Sequence, residues 1–167
     1  MTFSSAYLDS VIKRFDSYKD LGEKTFAQVD EMGFHYLANE ASNSIALIIQ
    51  HMHGNMMSRW TNFLTEDGEK SWRVRDEEFE PKEFSQAKLL ELWQEGWECL
   101  FKALRSLKEE DLLKTIHIRD EGMTAIDAIN RQLAHYSYHV GQIVFIGKIL
   151  KALQWKSLSI PKKMHGK

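Results

Sequence analysis

The stretch RQLAHYSYHVGQIVFIGKIL, residues 131–150, decides the fold. Its apolar residues Leu133, Tyr136, Val140, Ile143 and Val144 recur at steps of three and four, the period of an amphipathic helix. The pattern extends back through Ile129 and Ile126 to Thr124, a plausible cap for the helix start, and forward to Ile149. Asp127 falls near the positive end of that helix dipole. His135 and His139 stand four apart, so both imidazoles leave one face a turn apart, and Gln142 continues their stripe.

Upstream of this helix, the alternation Thr-Ile-His-Ile-Arg between Lys114 and Met123 leads into Asp120-Glu121-Gly122 and predicts a short strand and a turn. Before it, Ser85 caps a helix whose stripe runs Leu89, Leu90, Trp93, Trp97, Leu100, Phe101 and Leu104, ending near Leu107. Thr65 to Glu83 is polar and acidic, with a turn signal at Asp67-Gly68, and reads as a long connection. Asn43 to Leu64 carries Ile45, Ile48, Ile49, Met52, Met56, Trp60 and Phe63 at helical period, interrupted only by Gly54. A further helix is expected from Ser4 or Ser5 to about Val29, and the tail SLSIPKKMHGK after Trp155–Lys156 as an irregular strap. With only two prolines, Pro81 and Pro161, the chain is expected to be all-α. The reading is a four-helix bundle with a short hairpin-like connection before the last long helix, forming one domain over residues 1–167.

Composition removes several function classes. A hydrophobic fraction of 43% and a charged fraction of 28% are those of an ordinary globular chain. A net charge of −2 supplies no basic surface for phosphate backbones, so no nucleic acid partner is expected. The longest apolar run, Ile45 to Ile49, is far below the roughly 20 residues that span a bilayer, so no membrane association is expected. Cys99, the single cysteine, can form no internal disulfide, and MTFSSAYLDS lacks the pattern of a secretion leader. A cytoplasmic location follows as an expectation.

Seven histidines in a chain of 167 residues would give about 0.3 four-apart pairs by chance, so spacing alone does not make His135 and His139 ligands. Their position adds weight, because the second helix offers His51 and His53 across the expected core. His51 shares a face with Leu47, Ile48, Asn55 and Ser58, and His53 shares one with Ile49, Met56, Met57 and Trp60, so periodicity leaves the choice open. Three neutral imidazoles suit zinc, nickel, iron or copper better than magnesium or calcium. Such a site also leaves a coordination position open, as catalytic metals require. The competing reading makes the pair buried hydrogen-bonding histidines. Cys99 reads as a small buried hydrophobe, His35, His117 and His165 as surface residues, and the five tryptophans as core. Arg73, Arg75, Asp76 and Glu77 read as a solvated loop in preference to a pocket rim.

Three stretches carry a family resemblance: IIQHMHGNMMSRWTNFLTEDGEKSWRVRDEEF at 48–79, RQLAHYSYHVGQIVFIGK at 131–148, and SLSIPK at 157–162. In these the chain resembles the DinB and YfiT-like superfamily, in a branch known as a domain of unknown function. The resemblance implies a four-helix bundle, commonly homodimeric. It also implies a divalent transition metal, zinc or nickel, held by His51, His135 and His139. Related proteins include metal-dependent transferases of low-molecular-weight thiols such as bacillithiol, and a mycothiol-dependent isomerase. The expectation is therefore a thiol S-transferase that joins a small-molecule thiol to an electrophile in detoxification. The alternative is a non-catalytic, metal-stapled dimeric binding or stress-response module. Metal-assisted hydrolysis ranks third, because the sequence names no convincing general base.

Overall fold

The computed structural model describes residues 2–160 and is mostly helical, with one small two-stranded sheet. Pro161 and His165 lie outside the described residues, and the tail is described only as far as Ile160. Helix α1 spans Phe3–Phe26, a start set by Thr2 and not by Ser4 or Ser5. The Thr2 hydroxyl accepts from the Ser5 amide at 3.2 Å while the Ser5 hydroxyl accepts from the Thr2 amide at 3.0 Å, a reciprocal cap. The helix stops before Val29, and Asp30 caps a separate single turn, α2, Glu31–Phe34.

Helix α3, Ile45–Trp60, is shorter than its apolar pattern suggested. Ser44 caps it by accepting from the Leu47 amide, and Asn62, in the left-handed region at φ 52°, lies just past its end. Ser85 and Thr124 cap α4 (Gln86–Ser106) and α5 (Ala125–Lys151) as expected. Between them, β1 (Thr115–Ile118) and β2 (Glu121–Thr124) form an antiparallel hairpin that buries Ile116 and Ile118. Its two-residue tip, Arg119-Asp120, is left-handed at φ 57° and 63°.

α3 packs mainly on α4, and α1 mainly on α5. The apolar stripes of all four meet in an aromatic cluster of Phe15, Trp60, Trp97 and Tyr136, with ring centroids about 6 Å apart. Trp60 Nε1 donates to the Tyr136 hydroxyl, which donates to Asn55 Oδ1 at 2.9 Å, tying α3 to α5. Two apolar expectations fail. Ile149 is 42% exposed, because the buried stripe of α5 runs Tyr136, Val140, Ile143, Gly147 and leaves Ile149 off it. Trp72 is 58% exposed and Trp155 half-buried, so of the five tryptophans only Trp60, Trp93 and Trp97 are core. No described helix is long and apolar enough to cross a membrane.

Candidate metal centre

Helix α3 is buried on nearly every side, including positions that are polar. His51, Asn55, Ser58 and Arg59 recur at helical spacing and are all buried. α5 carries a matching stripe of Gln132, His135, His139 and Gln142. Buried polar groups cost free energy unless partnered, so two such stripes imply a built network.

At its centre His51, His135 and His139 converge, and together they could hold one metal ion. The Nε2 atoms of His51 and His139 lie 3.3 and 3.0 Å from Nε2 of His135. Zinc–imidazole bonds of about 2.0–2.1 Å at tetrahedral angles would set nitrogens about 3.3 Å apart, so the donor set fits such an ion. The outer ring nitrogens are anchored. His51 Nδ1 donates to Glu78 Oε2 at 2.9 Å, and His139 Nδ1 donates to Gln142 Oε1 at 3.0 Å. Both acceptors are oxygens with no proton to give, so in the neutral rings Nε2 carries a lone pair. In neutral rings the three inward nitrogens share at most one proton, so one good hydrogen bond at most forms among them, whereas a cation would engage all three lone pairs.

Glu78 is held from behind. Arg73, its side chain 2% exposed, donates from Nε to Oε1 at 2.7 Å and from Nη2 to Oε2 at 2.9 Å. Glu69 then joins Arg73, Arg59 and Arg119 in one ion network. Phe79 stacks on the His51 ring with centroids 4.8 Å apart, so the 3₁₀ turn Arg75–Phe79 supplies both an anchor and a cover for that imidazole. Gly54, one turn after His51, explains the break in the apolar pattern of α3: a methyl there would overlap the Glu78 carboxylate.

Electrostatics keeps the two imidazoles of α5 neutral. Burial pushes His135 down to about 3, helped by the neighbouring histidines, Arg59 and Arg73. Burial likewise lowers His139 to about 4, against the opposing hydrogen bond from Gln142. Burial opposes ionisation of Glu78, but hydrogen bonds to Arg73 and His51 outweigh it and hold its carboxyl below the usual range. Both histidine values lie below the ordinary 6.5, so between about pH 6.5 and 4 the unfolded chain binds more protons than the folded one. The metal-free chain is therefore expected to be most stable above about pH 6.5 and to lose stability as pH falls through that window. Melting curves of chelator-treated protein check this, and His135→Gln should flatten the decline between about pH 6.5 and 5. An unchanged slope in that variant would remove His135 from the account.

The remaining sequence candidates separate cleanly. His53 sits outside the group with Nε2 3.2 Å from Glu95, and His35 Nε2 lies 2.9 Å from the Phe84 carbonyl oxygen. His117 is exposed on β1. Cys99 is half-buried beside Thr61 and Met56, away from the histidines. The expected solvated loop is corrected in part: Asp76 and Glu77 are exposed, but Arg73 and Glu78 are not. Residues 2–164 match the family described as Protein of unknown function (DUF1572). The chain belongs to that family. No curated protein and no solved structure matches it. The family's matched span covers every residue of the centre and of the network behind it.

A cavity of about 470 Å³ opens beside the three histidines. Arg59, Arg73, Arg75, Arg119 and Arg131 line it together with Asn55, Gln132 and Tyr138, and among the described residues no acidic one does. Of these arginines, only Arg73 and Arg75 are named from the sequence alone. Asn55 was placed beside His51, but the significance of that polar stripe went unread.

Proposed function

We propose that this chain is a metal-dependent enzyme of the DinB and YfiT-like kind, a four-helix bundle built from α1, α3, α4 and α5. His51, His135 and His139 hold a zinc or nickel ion, and the reaction transfers a low-molecular-weight thiol to an electrophile. The observation that carries this reading is the convergence of three imidazole nitrogens on the wall of an open cavity. Among the described residues no fourth His, Cys, Asp or Glu joins the group, which supports an open position over a closed structural site.

A divalent ion held there lowers the pKa of a thiol at its open position and so supplies a nucleophile at neutral pH. The chain's own residues do the rest. Glu78 and Gln142 fix the rings of His51 and His139 so that Nε2 faces inward. Phe79 covers the His51 ring and excludes water from that side. Among the described residues no carboxylate lines the cavity, so none is placed there to take a proton from water, which favours thiol transfer over hydrolysis.

The test is conjugation of bacillithiol to monochlorobimane. The chain reconstituted with zinc or nickel is expected to form the fluorescent conjugate above background, and chelation is expected to abolish the gain. No rate above background with either metal would remove the thiol-transfer reading.

A further inference from the structure

The five arginines of the cavity fall into two groups. Arg59 and Arg73 are buried and committed: Arg59 donates to the Gly68 carbonyl oxygen and to Glu69, and Arg73 to Glu78. Arg75, Arg119 and Arg131 are exposed and have guanidinium donors to spare. Arg119 gives only Nε to Glu69, at 2.9 Å. Arg75 meets the exposed Asp76 at 3.5 Å and lies over the Phe79 ring. Arg131 has no carboxylate partner among the described residues.

These three side chains come from three separate elements, the 3₁₀ turn, the hairpin tip and α5, and reach one cavity. Like charges repel, and with no acid among the described lining residues and Glu69 and Asp76 answering only part of the charge, such convergence leaves a positive field that an anion would relieve. The hairpin tip is held in a conformation that residues with side chains seldom adopt, and Asp67 is what holds it. Its carboxylate accepts the amides of Arg119 and Asp120, both at 2.9 Å, which fixes the turn that carries Arg119. Two further buried atoms of the lining residues, Arg59 Nε and Gln132 Oε1, have no hydrogen-bond partner among the described residues.

We propose that Arg75, Arg119 and Arg131 form an oxyanion subsite, so that the thiol served by the three-histidine centre carries a carboxylate or phosphate group. The thiol half of this statement rests on the function proposed above; the oxyanion half rests on the arginines alone. A guanidinium presents paired N–H donors matched to either anion, and the cavity volume suits a small polar metabolite.

Calorimetric titration separates the two halves. The zinc-loaded chain is expected to bind mercaptosuccinate at least about tenfold tighter than uncharged 2-mercaptoethanol. In the double variant Arg119→Gln/Arg131→Gln that advantage should shrink to under about threefold while 2-mercaptoethanol binding is unchanged. Both positions are exposed, and an unaltered melting curve would show the variant folded. Measurable binding of both thiols with equal affinity, or an advantage that survives in the variant, overturns the subsite. Succinate and inorganic phosphate titrated into the metal-stripped chain identify the anion: binding of either supports the subsite, and binding of neither overturns it. Succinate or phosphate bound with no thiol binding in the zinc-loaded chain would leave the subsite standing and remove the thiol reading.

Discussion

Replacing His135 with alanine is expected to weaken metal binding by at least about a hundredfold, more than loss of any outer partner achieves. His135 is the hub of the group, since its Nε2 lies 3.3 Å from that of His51 and 3.0 Å from that of His139. Removing it leaves two donors on different helices and a gap between them. The folded core should survive, because the side chain is only half-buried and its neighbour Tyr136 carries the packing. Elemental analysis after desalting checks the expectation. One ion per chain in the variant would show that the three histidines are not the site.

Replacing Glu78 with alanine acts on both folding and the site. Arg73 would keep its charge in a place where it is 2% exposed, with only Glu69 left to it at 3.4 Å, and a stranded buried charge costs about 3 kcal/mol. His51 would lose the acceptor that fixes its ring, so metal affinity should drop about 10- to 100-fold in the same variant. Glu78→Gln should recover part of the affinity, since its amide oxygen can still accept from Nδ1. Urea unfolding and competition with a chromophoric chelator measure the two effects separately. A destabilised variant with unchanged metal affinity would show that Glu78 supports the fold and does not orient His51.

The sequence made the helices readable because each of α1, α3, α4 and α5 buries a stripe against the others, and burial is what periodicity records. Boundaries were less legible. Thr2 starts a helix by a reciprocal cap that leaves no apolar trace, and Asn62 follows α3's end while apolar residues still follow. The histidine pair on α5 was visible from spacing, but the choice between His51 and His53 was not. What separates them is Glu78, 27 positions away, which approaches through the space left by Gly54. Charged loop residues that bury by pairing with one another look the same in sequence as charged loop residues in water. Arg73 and Glu78 are therefore the kind of residues that pattern reading misses. The arginines of the cavity come from α3, the connection, the hairpin tip and α5, and no single window of sequence contains them.

α3 with α4 and α1 with α5 form the closer pairs, and the histidines occupy the seam between them. That seam has two layers of different character. Its inner layer, Glu69, Arg73 and Glu78 behind His51, is interlocked, so a change at one member strands another. Its outer layer, Arg75, Arg119, Arg131 and Tyr138, is exposed and carries little of the core. Mutations in the outer layer cost little stability and so remain open to drift and selection, while the inner layer is constrained to stay as it is. A scaffold divided in this way can keep one arrangement of three histidines through a long lineage and still change what its cavity admits, one surface side chain at a time.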